Sequence, residues 1–417
     1  MSQTVYRRCC GMDVHKDTVV VYVLPAVGQT GTVVRKTYRT FYADLVRMRC
    51  WLQLLKVSEI AMESTGIYWR PLWNVLEQHG FRLLLVNPAQ VKALQGRKSD
   101  RRDAQRIAEF LQDGRLDASF VPPPEIRELR SLLRHRVSLL EMRNQVHNQI
   151  RDLFETANLK LSSVVSDLLG LSGRNIIEAL IAGQDSAERL SWKVRGNLRK
   201  KEKLVKESLK GCFNEFHRHM LKTQYQHYQF LSGQIKECEA EIERRMKPYE
   251  EKVLALTTIP GVDRITAWHL IAELGPDMSV FPDADHCASW AGMSPGSCES
   301  AGKQLSARTK KGNKHLRRIL AQAAWATTRC KKGYLRAFFH RVKARRGWGR
   351  AIVAVAHKIL VIAYTILKTG FPYQDLGSDY FDKLHPERTT RRLVERLERL
   401  GHSVILETSP SAKPQIP

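Results

Sequence analysis

The chain has 417 residues, enough for two or three domains, and its 43% apolar content can fill real cores without disulfide staples. Lys and Arg number 68 against 42 Asp and Glu, a formal charge of +26 that excludes an ordinary near-neutral enzyme. A polyanionic partner follows, nucleic acid before membrane surface. Eight cysteines show neither a CxxC pair nor zinc-ligand spacing, so they read as reduced and mostly buried. The opening MSQTVYRRCCGMD lacks a signal-peptide core, and the longest apolar run, Ala351 to Leu367, is broken by His357 and Lys358. The expectation is a cytoplasmic protein with no membrane partner.

From Cys9 to about Pro124, short β-rich runs alternate with amphipathic stretches, which predicts an α/β domain over 1–125. The strands are expected at Thr18 to Leu24, Thr32 to Tyr38, Glu59 to Met62 and Arg82 to Val86. The breakers Pro122, Pro123 and Pro124 end the domain. A helical arm is expected over 126–250, with Ile126, Leu129, Leu133, Val137 and Leu140 at steps of three and four. A second long stretch from about Trp192 to Lys247 pairs with the first as an antiparallel hairpin or joins two protomers. A looser region at Gly170 to Gly183 separates them. A mainly helical domain follows over 251–370, interrupted by Pro260-Gly261, Pro276, Pro282 and a Gly-rich loop from Gly292 to Gly302. The extension 371–417 offers one helix, Thr389 to Leu400, and a Pro/Ser tail expected to be disordered.

Four carboxylates stand where an α/β sheet gathers a site. Asp13 ends the first β-run in CCGMDVHKD, and Glu63 ends another in EIAMESTG. Asp100 and Asp103 lie in GRKSDRRDA, where Ser99 can cap a helix that holds both acids on one face. Hard divalent cations such as Mg²⁺ fit carboxylate oxygens, and a paired ion site can activate one oxygen while stabilising a departing one. Taken singly, Asp100 and Asp103 can cap a helix and pair with Arg101, Arg102 or Arg106, and Glu63 can sit in a turn before Gly66; the four together, in an α/β domain of a strongly basic chain, favour the site. Asp17 reads as surface.

Between Lys303 and Arg350 stand sixteen Lys and Arg and no Asp or Glu. Such a run faces phosphate, with Lys303, Arg308, Lys310, Lys311, Lys314, Arg317 and Arg318 as the candidate contacts. Trp325, Tyr334, Phe338, Phe339 and Trp348 interleave with it, as packing residues or as stacking surfaces for unpaired bases. Just upstream, AGMSPGSCESAGKQLS places Ser300 among small residues with cations following. A hydroxyl there can attack a backbone phosphate and conserve the bond energy as an ester. Ser294, Ser297 and Ser306 compete on local sequence, and His315 is the base nearest in sequence. LTTIPGVDRITAWHLIAELG reads as two short helices around Pro260-Gly261-Val262, a turn whose N–H groups can hold phosphate, with Asp263 standing where a second glycine is usual.

In this order and spacing, GMDVHKD, AMESTGIYW, KSDRRDA, TTIPGV, WAGMSPGSCESAGK and RTKKGNKHLRR resemble the IS110 family of insertion-sequence transposases over about residues 8–370. The resemblance implies an RNase H-like (RuvC-like) N-terminal domain in which Asp13, Glu63, Asp100 and Asp103 bind Mg²⁺. It also implies a coiled-coil arm for assembly and a C-terminal transposase domain with Ser300 as nucleophile, which decides among the serines. It implies as partners double-stranded donor and target DNA, a structured guide RNA and a homo-oligomer, dimer or tetramer, working at the bacterial nucleoid. The sequence departs from the family pattern in the Ser-Ala-Gly after Glu299 and in the unmatched region Gly170 to Trp192. The competing functions are a Holliday-junction-type structure-specific endonuclease using metal-activated water, and a non-catalytic packaging protein with structural acids.

Overall fold

A computed structural model describes residues 8–26, 32–64, 66–88, 103–294, 298–300, 303–306, 309 and 312–407. The chain forms two compact units, 1–122 and 123–417.

In the first unit, β1 (Cys9–Val14), β2 (Thr18–Val23) and β3 (Val34–Arg39) form an antiparallel meander. Helix α1 (Tyr42–Leu54) leads to β4 (Glu59–Glu63), which pairs parallel with β1. Helix α2 (Trp69–Leu76) leads to β5 (Arg82–Val86), parallel with β4, so the strand order is β3-β2-β1-β4-β5. Helix α3 (Asp103–Gln112) completes the unit. Period-two alternation sorts the side chains by face. Cys10, Met12, Ile60 and Met62 share one core with Leu45, Met48 and Leu52 of α1 and Leu72 and Leu76 of α2. Cys9, Ala61, Leu84 and Val86 share the other with Ile107 and Leu111 of α3. Helices therefore cover both faces, which is why the central strands read as near-continuous apolar runs.

The second unit opens with α4 (Pro124–Thr156) and contains α9 (Glu215–Met246); between them lie α5 (Leu161–Val164), α6 (Leu171–Ile181), α7 (Ala187–Ser191) and α8 (Glu202–Ser208). The region expected to be loose at Gly170 to Gly183 is thus largely helix. Gly173 is tolerated inside α6 because a Cβ there would lie 1.9 Å from the Leu168 carbonyl oxygen. The second long helix starts at Glu215, not near Trp192. Asn214 caps it by accepting from His217 N at 3.1 Å.

Helices α4 and α9 run antiparallel within the chain. Cys238 lies against the Leu132 carbonyl, Arg136 Nη2 meets Glu239 Oε1 at 2.6 Å, and Arg143 sits over the Tyr228 ring. On α4 the buried stripe is Ile126, Leu129, Leu133, Arg136 and Leu139, whereas Val137 and Leu140 are only half-buried. The stripe takes two steps of three in succession, Leu133 to Arg136 to Leu139, where a period of 3.6 residues would bring round Val137 and Leu140.

Helices α10 (Glu250–Thr257) and α11 (Arg264–Leu274) flank the Pro260-Gly261 turn. Every residue of α11 from Ala267 to Leu274 is buried. Helices α12 (Ala284–Trp290), α13 (Lys314–Thr328), α14 (Tyr334–Arg346) and α15 (Trp348–Thr369) follow; α11 packs on α4, α10 and α13, and α15 packs on α10, α12, α13 and α14. Helix α15 is long and apolar enough to cross a membrane, yet it serves as a core helix: Ile359, Leu360 and Ala363 are fully buried, and the Tyr364 hydroxyl donates to the Phe281 carbonyl at 3.2 Å. After Gly370, Asp375 accepts from Tyr334 N, and α16 (Tyr380–Leu384) and α17 (Pro386–Arg399) follow. Of the Pro/Ser tail expected to be disordered, residues 408–417 lie outside the described residues.

Candidate active site

Asp13 and Glu63 occupy equivalent positions on neighbouring parallel strands. Met12 pairs with Met62, so the next residue of each strand is a carboxylate, and both belong to the face that carries Cys9 and Ala61. That is the face covered by α3. Gly11 makes the contact possible, because a Cβ there would stand 2.1 Å from the Ala104 carbonyl oxygen and 2.4 Å from Ala108 N. Asp103, in the first turn of α3, is held one residue from that contact. The register thus brings Asp13 and Glu63 to the same edge of that face, and Asp103 directly precedes Ala104, whose carbonyl faces Gly11. Asp100 and the proposed cap Ser99 lie outside the described residues.

Asp13 Oδ2 is bonded to His15 Nε2 at 3.0 Å, with the Asp13 side chain largely buried and His15 open to solvent. Among the described residues no three His, Cys, Asp or Glu side chains come close enough to hold one ion. The donor chemistry still fits a hard divalent cation: carboxylate oxygens at adjacent register positions, with strands about 4.8 Å apart, are within reach of a shared ion. Burial pushes the Cys9 thiol up to about 12 and raises that of Cys10 further. Of the described cysteines, Cys238 and Cys287 are also buried, while Cys50 and Cys212 are exposed.

The sequence suggested a Gly-rich loop around Ser300. The backbone there forms a hairpin, β6 (Cys298–Ser300) with β7 (Lys303–Ser306), in which Ser300 pairs with Lys303. Only Ala301 and Gly302 stand between the paired positions in the sequence, the spacing of the tightest common hairpin and one that favours glycine. The segment carrying the hairpin is closed at its base: a Cβ at Gly312 would lie 2.3 Å from Gly292 N. Arg308, Lys310 and Lys311 lie outside the described residues.

Residues 10–158 match the family model for DEDD transposases of the IS110 type, and residues 253–340 match the model for the transposase IS116/IS110/IS902 family. The chain belongs to the IS110 family of transposases. It is 25% identical to the transposase of insertion sequence element IS1111A from Coxiella burnetii over 87% of this chain and 90% of that one. It is 24% identical to the transposase of IS1328 from Yersinia enterocolitica over 86% and 96%. A third relative, the transposase of IS1533 from Leptospira borgpetersenii, is 25% identical over 78% and 86%. The protein is a DNA-processing enzyme of the insertion-sequence class.

In this transposase the basic helix α13 is anchored by a buried network that sequence reasoning missed. Glu273, at 1% exposure, accepts from Arg134 Nε at 2.9 Å and Nη2 at 2.8 Å, and from Asn313 Nδ2 at 2.6 Å. Arg130 donates from Nη2 to the Glu273 carbonyl at 2.9 Å. Burial alone would raise the Glu273 pKa, but the guanidiniums of Arg134 and Arg130 and the Asn313 amide outweigh it and hold the carboxyl below its usual value. Asn313 in turn caps α13, accepting from His315 N at 3.1 Å and Leu316 N at 3.2 Å. Burial first, and Arg134 next, lowers the pKa of His315 and keeps it neutral at pH 7.

The cations of α13 divide by position. Lys314 is exposed in the first turn, Arg317 donates to Thr309 Oγ1 at 3.0 Å, and Arg318 pairs with Glu141 of α4. The Pro260-Gly261 turn is not an open phosphate cradle. A Cβ at Gly261 would lie 2.5 Å from both the Ala323 carbonyl and Thr327 Oγ1, so the turn is packed on α13. Asp263 caps α11 by accepting from Thr266 N at 2.7 Å, which places an anion where phosphate would bind.

Proposed function

We propose that this transposase excises and inserts its element by cutting and rejoining DNA through a transient ester between Ser300 and a backbone phosphate. The observation that carries this reading is the register of β1 and β4, which sets Asp13 and Glu63 side by side at the end of the face that α3 covers. With Asp100 they would hold Mg²⁺, and the bound ion supplies Lewis-acid stabilisation of phosphate oxygens. In the proposed step the Ser300 oxygen bonds to phosphorus as the bond to the leaving deoxyribose oxygen breaks. The serine proton is transferred to a base, and the leaving oxygen takes up a proton. Attack by a second strand's hydroxyl reverses the step and reseals DNA without an external energy source.

The placement of Ser300 opposite Lys303 supports this half of the reading. So does the first turn of α13. Lys314 and Arg317 sit near the positive end of the helix dipole, an arrangement that costs energy until an anion binds there. The remaining assignments belong to the same proposal: an RNase H-like unit, supported by the strand order β3-β2-β1-β4-β5, an arm formed by α4 and α9, guide-RNA pairing for sequence choice, and a dimer or tetramer.

Denaturing electrophoresis of the protein incubated with labelled element-junction DNA, nucleic-acid cofactor and Mg²⁺ tests the reading. A covalent protein–DNA band should form with the intact protein and vanish with Ser300→Ala. Undiminished cleavage by Ser300→Ala without any adduct would transfer the chemistry to metal-activated water and overturn the serine mechanism.

A further inference from the structure

The aromatic residues interleaved with the basic run separate into two groups. Tyr334 and Phe339 are buried, at 8% and 1% exposure, while Trp325 and Trp348 keep 47% and 40% of their surface open. The two tryptophans are also neighbours. Trp325 lies in the last turns of α13 and Trp348 begins α15, and their ring centroids are 5.2 Å apart at an interplanar angle of 60°. Phe339 meets Trp348 edge-on at 4.9 Å and fixes its orientation.

Single exposed aromatics are ordinary, but an adjacent pair of half-open indoles leaves a large apolar area facing water. What surrounds the pair is uniformly cationic. Lys343 Nζ stands 4.8 Å from the Trp348 ring centroid, and Arg345, Arg346 and Arg350 are exposed on either side of the Gly347 corner. Among the described residues none of these four cations has an ion-pair partner. Gly347, at φ +79°, turns α14 into α15 and leaves the start of α15 without a side-chain cap. An apolar ring surface bounded by unpaired positive charge matches one ligand chemistry: a flat base joined to phosphates.

We propose that Trp325 and Trp348 form a stacking platform for an unpaired base of single-stranded DNA, with Lys343, Arg345, Arg346 and Arg350 contacting the flanking phosphates. The choice of DNA rests on the function proposed above. Helix α13 carries the platform near its C-terminus and begins beside the segment bearing Ser300; at 1.5 Å per residue, Lys314 and Trp325 are about 17 Å apart along it.

The test is equilibrium binding, measured in Ser300→Ala protein so that the result does not depend on whether Ser300 is the nucleophile. Binding of a short oligo(dT) is compared at one salt concentration with that of the same oligomer made abasic at its centre, with oligo(rU) and with duplex. Stacking predicts about tenfold tighter binding of oligo(dT) than of the abasic strand. Trp325→Ala and Trp348→Ala should abolish that ratio, Trp325→Phe and Trp348→Phe should restore much of it, and duplex affinity should not change. An unchanged ratio in the alanine variants, an equal loss of duplex binding, or tighter binding of oligo(rU) than of oligo(dT) would each overturn the assignment.

Discussion

Asn313 joins Glu273 to the start of α13 with a single side chain: its Nδ2 donates to the carboxylate at 2.6 Å, and its Oδ1 accepts from the first-turn N–H groups. The N-terminus of the most basic part of the chain is therefore held by a charge that never meets water. Because Arg134 and Arg130 neutralise that charge, the network links α4, α11 and α13.

Removing the carboxylate leaves two guanidiniums and an amide without their acceptor. Glu273→Ala should cost about 3–5 kcal/mol of stability, the usual penalty for breaking a buried pair from one side. Glu273→Gln, which keeps one carbonyl acceptor, should cost less. Thermal unfolding of the two variants checks the order, and equal melting temperatures for both variants and the parent would show that the network carries no load.

Two buried groups on α11 make stability depend on pH in the same direction. Burial lowers the His269 pKa to about 4, and among the described residues its Nε2 has no hydrogen-bond partner. The folded state therefore keeps this ring neutral where the unfolded chain, with an ordinary histidine pKa near 6.5, takes up a proton. Stability should fall as pH drops from about 6.5 to about 4, by up to about 3 kcal/mol. Glu273, whose folded pKa is depressed, contributes stability above the ordinary carboxyl range and loses it as pH falls through its folded value. The expected result is acid destabilisation in two stages. His269→Leu should flatten the first stage and leave the second, as read by urea midpoints across the pH range.

Much of the first unit was legible in sequence because the rule that builds it is local. Short apolar runs expose β4 and β5 within a residue of their ends, and Asp13 and Glu63 were visible as acids closing such runs. The buried network was not legible. Glu273 ends an apolar helix before Gly275 and looks like an ordinary terminal acid, while its partners Arg134 and Asn313 lie 139 and 40 residues away. The region from Gly170 to Gly183 looked loose because the Leu168 backbone that requires a glycine at position 173 is invisible in composition. The β6–β7 hairpin was hidden by length: strands of three and four residues carry too little alternation to register against Gly, Ser and Pro.

The turn at Gly261 offers a test of packing without chemistry. Its φ of +88° disfavours any side chain, and a Cβ would overlap the Ala323 carbonyl and Thr327 Oγ1, both at 2.5 Å. Thr327 Oγ1 also donates to the Pro260 carbonyl at 2.7 Å, so the α10–α11 turn cannot shift without breaking that bond. Gly261→Ala should destabilise the protein by about 2–4 kcal/mol, combining backbone strain with overpacking. A melting temperature within error of the parent would mean the turn does not dock on α13 in solution.

The acidic site yields a sharper test, because one substitution can disturb it without touching a carboxylate. Gly11 lets α3 lie directly on β1, and a methyl group 2.1 Å from the Ala104 carbonyl oxygen must lift the helix and carry Asp103 with it. If Asp13, Glu63 and Asp103 share an ion, Gly11→Ala should weaken Mn²⁺ or Mg²⁺ binding about as much as Asp13→Asn does, at least tenfold by analogy with the loss of supporting groups at metal sites. Cys10→Ala, one residue away but facing the opposite core, should lose stability and keep its metal affinity. Isothermal titration of the three variants separates these outcomes. Full metal affinity in both Gly11→Ala and Asp13→Asn would leave the acids with a structural role, since neither the charge at position 13 nor the seat of α3 would then matter to any bound ion.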